Sequence, residues 1–275
     1  MKAALIQLRT PATQEAALEQ AAPLVRQAAE AGARFVLTPE GTNILQRDRA
    51  KLFEQLRPAD QDPCVAGLVG LARELKIWLL IGSALVRRED GGAANRSMLA
   101  GPDGRIAATY DKLHMFDVDL PNGETVRESA SYTPGDEAVA ARTPFGLIGL
   151  TICYDIRFPG LYRALARAGC MIMTVPAAFT RPTGQAHWEI LLRARAIENG
   201  AFILAPAQGG RHEDGRGTWG RSMAIGPWGE VLAGADHDGP CMLLADLDLD
   251  AAAKARQAIP ALKNERAFAG PRVTE

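Results

Sequence analysis

The stretch "GLIGLTICYDIRFPG", residues 146–160, is almost wholly apolar up to Cys153 and then enters a polar turn ended by a proline. An apolar run of this length reads as a strand buried on both faces. A free cysteine is ordinarily a small core side chain. Cys153 is more than that only if its surroundings in the chain say so.

Reading outward, the second half alternates strand and helix. "GLIGLTIC" is a strand, residues 158–169 a helix and "CMIMTVPAAF" a strand; "AHWEILLRARAIENG" is a helix, "AFILAPA" a strand and "RSMAIGPWGEVLAG" a hairpin. The first half has the same order. "KAALIQL" is a strand, and residues 13–31 form a helix that stops at Gly32 and should kink at Pro23. "RFVLTPE" is a strand ending on Glu40, residues 63–76 a helix, "IWLLIGSAL" a strand and "RSMLAGPDGRIAATY" a hairpin turned by Pro102-Asp103-Gly104. The two hairpins share a pattern, Arg96-Ser97-Met98 before Gly101-Pro102 and Arg221-Ser222-Met223 before Gly226-Pro227. This predicts an α/β protein with an internal repeat, each half building one sheet covered by helices on one face, with the sheets packed together. No linker divides residues 1–250, read as one domain. The tail, 251–275, is helical at first and then polar and irregular.

Composition narrows the function. The chain has 275 residues, 47% hydrophobic and 23% charged, with a net charge of −1, and so carries no electrostatic signature for nucleic acid or an anionic membrane. No uncharged apolar run reaches the roughly 18 residues of a membrane helix. "MKAALIQLRTPAT" reads as a first strand rather than a secretion signal. Cys64, Cys153, Cys170 and Cys241 are scattered, with no CxxC and no histidine pair at ligand spacing. That argues against zinc and against a disulfide framework, and makes a reducing cytoplasm the expected location.

Ligands in open α/β folds gather beyond the carboxyl ends of strands. Glu40 follows "RFVLTP", Lys112 follows "IAATYD" and Cys153 follows "GLIGLTI". Each alone is ordinary. Together, "LTPEGTN", "YDKLHMFDVD" and "ICYDIRFPG" resemble the three signature segments of the nitrilase superfamily of carbon–nitrogen hydrolases, in the same order Glu, Lys, Cys. The resemblance covers residues 2–250. "PAAFTRPTGQAHWEILLRARAIENGAFILAPAQGGRHEDGRGTWGRSMAIGPWGEV" looks most like the branch that hydrolyses deaminated glutathione.

The resemblance implies a four-layer α-β-β-α sandwich, which agrees with the duplicated halves, and a homodimer or larger assembly. It implies an amidase working through a cysteine thioester on a small-molecule amide, with no metal or organic cofactor. The residue types suit that chemistry. A thiol with a pKa of about 8.5 needs a base, and Glu40 can take its proton and pass it to the leaving amine. Lys112 and the Tyr154 backbone N–H can meet the oxyanion. The second carboxylate of the family falls on Glu128, with Glu124 close by. His187 and His114 are rival bases, and His187 is also a substrate-binding candidate.

Deaminated glutathione, split to a keto acid and Cys-Gly, is the substrate this branch implies; the alternative is an ω-amidase acting on α-ketoglutaramate. A non-catalytic dimeric scaffold is the reading from a different class. Arg157 either binds a substrate carboxylate near the scissile amide or pairs with Asp155. "AQGGRHEDGRGTW", residues 207–219, brings Arg211 and Arg216 around His212. It is either an exposed polar loop or the site of a distal carboxylate, since planar guanidinium groups match carboxylates. Phe158 and Tyr162 read as helix core, and Trp188 and Trp219 as core or as the pocket mouth. The chain departs from the branch at Arg221, where histidine is common, and at Gly160, where glutamate is usual.

Overall fold

The first strand, β1 (Lys2–Gln7), divides its side chains between two cores. Ala3 and Leu5 enter one and Ala4 and Ile6 the other, as the two-residue period of a strand requires. The computed structural model describes residues 1–120 and 123–274. After β1 come α1 (Gln14–Glu30), β2 (Phe35–Leu37), α2 (Arg49–Gln55), α3 (Pro63–Leu75), β3 (Trp78–Arg87), β4 (Ala93–Ala100) and β5 (Ile106–Asp111). A ribbon of β6 (Asp117–Asp119) and β7 (Thr125–Arg127) leads to the second half. That half begins β8 (Val139–Thr143), β9 (Gly146–Leu150), α4 (Pro159–Arg167), β10 (Ile172–Thr174), α5 (Arg181–Asn199) and β11 (Phe202–Ala205). A second ribbon, β12 (Gly209–Arg211) with β13 (Gly217–Trp219), precedes β14 (Met223–Ile225), β15 (Val231–Gly234) and β16 (Cys241–Asp246). The helices α6 (Asp250–Ala258) and α7 (Ala261–Asn264) follow, and the described tail to residue 274 is then irregular.

Two six-stranded sheets result, ordered β16-β1-β2-β3-β4-β5 and β15-β14-β11-β10-β9-β8. They have the same plan. Three parallel strands, β1-β2-β3 or β9-β10-β11, form the middle. Two antiparallel strands extend the third, and one antiparallel strand flanks the first. The repeated Arg-Ser-Met triplets therefore lie on or beside equivalent strands, β4 and β14. Helices α1 and α3 cover the first sheet; α4 and α5 cover the second. Between the sheets, Leu5, Leu37 and Leu80 join Ile148, Leu150 and Ile172 in one core. This is the four-layer sandwich.

The halves meet closely beside the future site. A Cβ at Gly82 would lie 1.9 Å from the Thr38 carbonyl oxygen and 2.5 Å from Pro176 Cβ, so only glycine fits there.

Several expectations are corrected. The strands are shorter at the ends that matter: β2 stops at Leu37 and β9 at Leu150, before Glu40 and Cys153. After β2 and β10 the chain meets Pro39 and Pro176, which have no N–H for a ladder, and it leaves the sheet. Helix α1 continues past Pro23, which lies on its exposed face, so the Glu19 carbonyl released by the proline can meet water. Helix α2 and both ribbons are additions, polar segments with no apolar period to announce them. Residues 209–219 are thus a hairpin rather than a loop.

Candidate active site

Four chain crossings converge on one cavity of about 320 Å³, lined among others by Glu40, Lys112, Glu128, Cys153 and Tyr154. Glu40 sits in the turn after β2 and is buried. Its Oε2 accepts from the Ala178 N–H at 2.9 Å, and its Oε1 accepts from Lys112 Nζ at 2.9 Å. Gln208 Nε2 holds the Glu40 carbonyl oxygen at 3.0 Å.

Lys112 directly follows β5 and is fully buried. Its ammonium reaches three carboxylate oxygens: Glu40 Oε1, Glu128 Oε1 at 2.9 Å and Glu128 Oε2 at 2.8 Å. Glu128 opens a short 3₁₀ turn after β7 and also accepts from the Phe116 N–H at 2.6 Å. Glu128, not Glu124, meets Lys112; Glu124 pairs with Arg47 at 3.4 Å.

Cys153 opens a 3₁₀ turn, Cys153–Arg157, with φ of 50°. A non-glycine residue in this left-handed region costs about 1–3 kcal/mol, and such strain collects at functional positions. The Cys153 N–H is tied to the Pro176 carbonyl at 2.9 Å. Tyr154 N–H lies in the first turn, whose donors have no acceptor within the helix itself.

The electrostatics form one unit. Burial alone would raise the Glu40 carboxyl, but the Lys112 charge and hydrogen bonds from Cys153, Lys112 and Asn95 outweigh it and hold the pKa below the usual range. Burial would lower the Lys112 ammonium, yet Glu128 and Glu40 raise it well above its ordinary value. Burial and the Glu40 charge push the Cys153 thiol well up, with Lys112 opposing. The resting cluster is therefore an ionised base beside a protonated thiol. It can move a proton from sulfur to carboxylate when an electrophile arrives.

Tyr154 lines the cavity, its ring edge-on to Phe116 at 5.0 Å. Arg157 is half-buried behind that wall, its guanidinium 5.6 Å from the Phe179 ring and 3.2 Å from His187 Nδ1. His187 is exposed and does not line the cavity. Arg216 lines the cavity and pairs with Asp214 at 2.8 Å, whereas Arg211 is exposed outside it. His212 is buried against Thr218 at 2.7 Å, and burial lowers its pKa to about 4. His114 stacks on Phe158 at 3.5 Å and bonds Asp155 at 2.6 Å, so Asp155 is not the partner of Arg157. Trp188 and Tyr162 are core side chains; the Trp188 indole donates to the Arg221 carbonyl at 2.8 Å. Gly160 is exposed.

Asn95 was not anticipated. Its Nδ2 donates to Glu40 Oε1 at 2.9 Å and to Glu128 Oε1 at 3.2 Å, bridging the two carboxylates. The repeat carried a signal: Asn95 precedes the first Arg-Ser-Met triplet, where the second has Gly220. Nothing local marked Tyr132, Arg47 and Arg49, which also line the cavity. Among the described residues, no group of three His, Cys, Asp or Glu side chains is placed to hold a metal ion.

Comparison with known proteins agrees with this geometry. The carbon-nitrogen hydrolase family model matches residues 2–257. A deaminated glutathione amidase of Yersinia enterocolitica is 41% identical over 86% of this chain and 82% of its own length. The human omega-amidase NIT2 is 35% identical over 96% of this chain and 94% of its own. The solved NitFhit protein of C. elegans superposes with a TM-score of 0.88 at 32% identity, covering 96% of this chain, which spans 65% of that longer protein. The chain belongs to the carbon-nitrogen hydrolase family.

Proposed function

We propose that the protein is an amidase that cleaves deaminated glutathione through a thioester on Cys153. The observation that carries this reading is the buried Cys153 thiol sharing one cavity with the Glu40 carboxylate, itself paired with Lys112 at 2.9 Å. Sulfur attacks the amide carbon while its proton passes to Glu40, forming the C–S bond and an oxyanion. The oxyanion is met by the Tyr154 N–H and the Lys112 charge. All three ammonium protons already point at carboxylates, so Lys112 becomes a direct donor only by releasing one contact, and Glu128 holds two.

Glu40 then protonates the leaving nitrogen and the C–N bond breaks, freeing Cys-Gly. A water delivers its proton to Glu40 and attacks the thioester; the C–S bond breaks, the keto acid leaves and the thiol recovers the proton. No cofactor enters this sequence. Glu128 orients Lys112 throughout. Arg157 does not line the cavity; its guanidinium backs the Phe179 and Tyr154 rings and bonds His187, so it supports the aromatic wall and the acyl-side carboxylate is not assigned to it.

The substrate assignment is supported by the relatives named deaminated glutathione amidase. The human omega-amidase relative favours the second reading, hydrolysis of α-ketoglutaramate. We further assign a cytoplasmic homodimer. Four free cysteines and the absence, among the described residues, of a helix able to cross a membrane agree with the location. Exposed Ile190 and Ile197 on one face of α5 agree with the assembly.

The test is a competition among deaminated glutathione, α-ketoglutaramate and a simple nitrile, scored by Cys-Gly or ammonia release, with Cys153→Ala alongside. The expected order puts deaminated glutathione first, and the variant should show no turnover and no acyl adduct by intact mass. A preference for α-ketoglutaramate overturns the substrate; a large residual rate in Cys153→Ala overturns the nucleophile.

A further inference from the structure

The proposed substrate carries a second carboxylate, on the glycine of its leaving group. In extended form that carboxylate stands two residues, about 7 Å, beyond the scissile nitrogen. A cavity that selects it needs a cation among its lining side chains, not already neutralised.

Four arginines line the cavity: Arg47, Arg49, Arg127 and Arg216. Three are engaged. Arg47 pairs with Glu124, Arg127 with Asp119, and Arg216 with the fully buried Asp214 carboxylate. Arg49 has no carboxylate partner among the described residues. It is nonetheless held in place. Its Nε donates to the Ala130 carbonyl at 3.2 Å, and its guanidinium lies 4.5 Å from the centre of the Phe53 ring. Ala130 ends the turn that Glu128 begins, so the anchor ties Arg49 to the segment carrying a carboxylate of the catalytic cluster.

Among the described residues neither terminal nitrogen of Arg49 has a hydrogen-bond partner, so both can form the two parallel bonds that a carboxylate accepts. The position is also a poor one on helix grounds. Arg49 is the first residue of α2, where the macrodipole disfavours a cation. The Phe53 and Ala130 contacts hold the exposed Arg49 side chain at the cavity without neutralising its charge.

We propose that Arg49 binds the distal carboxylate of the leaving group and thereby selects substrates ending in a free carboxylate. This rests on the substrate reading above and replaces Arg211 and Arg216 as the residues for that role. Arg211 lies off the cavity, and the Arg216 charge is met by Asp214.

The experiment measures kcat/KM for wild type, Arg49→Ala, Arg49→Lys and Arg127→Ala on three substrates. These are deaminated glutathione, the same compound with its glycine carboxylate converted to an amide, and α-ketoglutaramate. Wild type should prefer the acid to the amide by about 10- to 100-fold, the worth of one charge-assisted pair. Arg49→Ala should erase that preference, chiefly through KM, and should lose far more on deaminated glutathione than on α-ketoglutaramate. Arg49→Lys should retain part of it, and Arg127→Ala should keep it. An acid-over-amide preference that survives in Arg49→Ala, or equal losses on deaminated glutathione and α-ketoglutaramate, overturns the role of Arg49. Wild type that cannot turn over deaminated glutathione overturns the substrate reading itself, a distinct result.

Discussion

Asn95 shows how one uncharged side chain can set the state of a charged cluster. Its amide nitrogen serves Glu40 and Glu128 together, and its Oδ1 is buried with no partner. Turned over, the amide would aim its oxygen at two carboxylates, so the orphan acceptor is the lesser cost. Glu40 is faced by Lys112, Glu128 and the Cys153 thiol, and accepts from the Ala178 N–H. The proposed mechanism needs Glu40 ionised, and the Asn95 hydrogen bond favours that form. Asn95→Leu removes the donor, so the Glu40 carboxyl should titrate at higher pH. The acid limb of the kcat/KM profile should shift upward in pH, with a lower plateau. A profile that keeps its acid limb while only its height changes would count against this. Glu40, Lys112 and Cys153 were legible because each stands in a recognisable segment after a strand. Asn95 sits inside a strand, one residue ahead of the hairpin segment and outside the three signature segments.

The turns that present these residues are joined by a buried carboxylate. Asp155 accepts from the Tyr110 hydroxyl at 2.7 Å, the Ile152 N–H at 2.8 Å and the His114 N–H at 3.1 Å, and bonds His114 Nδ1 at 2.6 Å. It therefore ties the end of β5, which delivers Lys112, to the turn that presents Cys153. An Asp155–Arg157 pair was a reasonable alternative from sequence. In a 3₁₀ turn, however, residues two apart point to different sides. Asp155→Asn places an amide donor among N–H and O–H donors and should loosen the Lys112–Cys153 spacing. We expect kcat to fall by about 100-fold, the cost typical of a misplacement near 1 Å, with a smaller change in KM. Tyr110→Phe should cost less, and the double variant less than the two combined, because both act through one link. A lowered Tm with kcat intact would make Asp155 merely structural.

In the whole molecule, the face of α5 turned away from its sheet carries Ile190 and Ile197, 70% and 56% exposed. Seven residues apart, they share one helix face, and the turn bearing the 61% exposed Trp228 packs beside Ile197. Side chains of this size clustered on a surface are the mark of an interface. A second copy of the chain is the occupant that fits the proposed homodimer. Ile190→Glu with Ile197→Glu should halve the mass measured by light scattering at micromolar concentration. A wild-type protein that is monomeric under those conditions overturns the assembly, and a dimer that survives the double change moves the interface elsewhere.

The layers could be read from residue order because their cause is local and periodic. A strand covered on both faces must be apolar along its length, and a repeated order of strands and helices must build repeated sheets. Reactive residue types at strand ends were legible for a related reason, since the chemistry restricts which side chains can stand there. Tertiary structure alone decided the partners. Glu40 meets Asn95 across 55 positions and Lys112 across 72, and Arg49 reaches Ala130 across 81. Such polar contacts follow no period. A side chain that bonds a single distant atom leaves no pattern in its neighbours, and its partner exists only once distant strands have paired and carried their loops to one end.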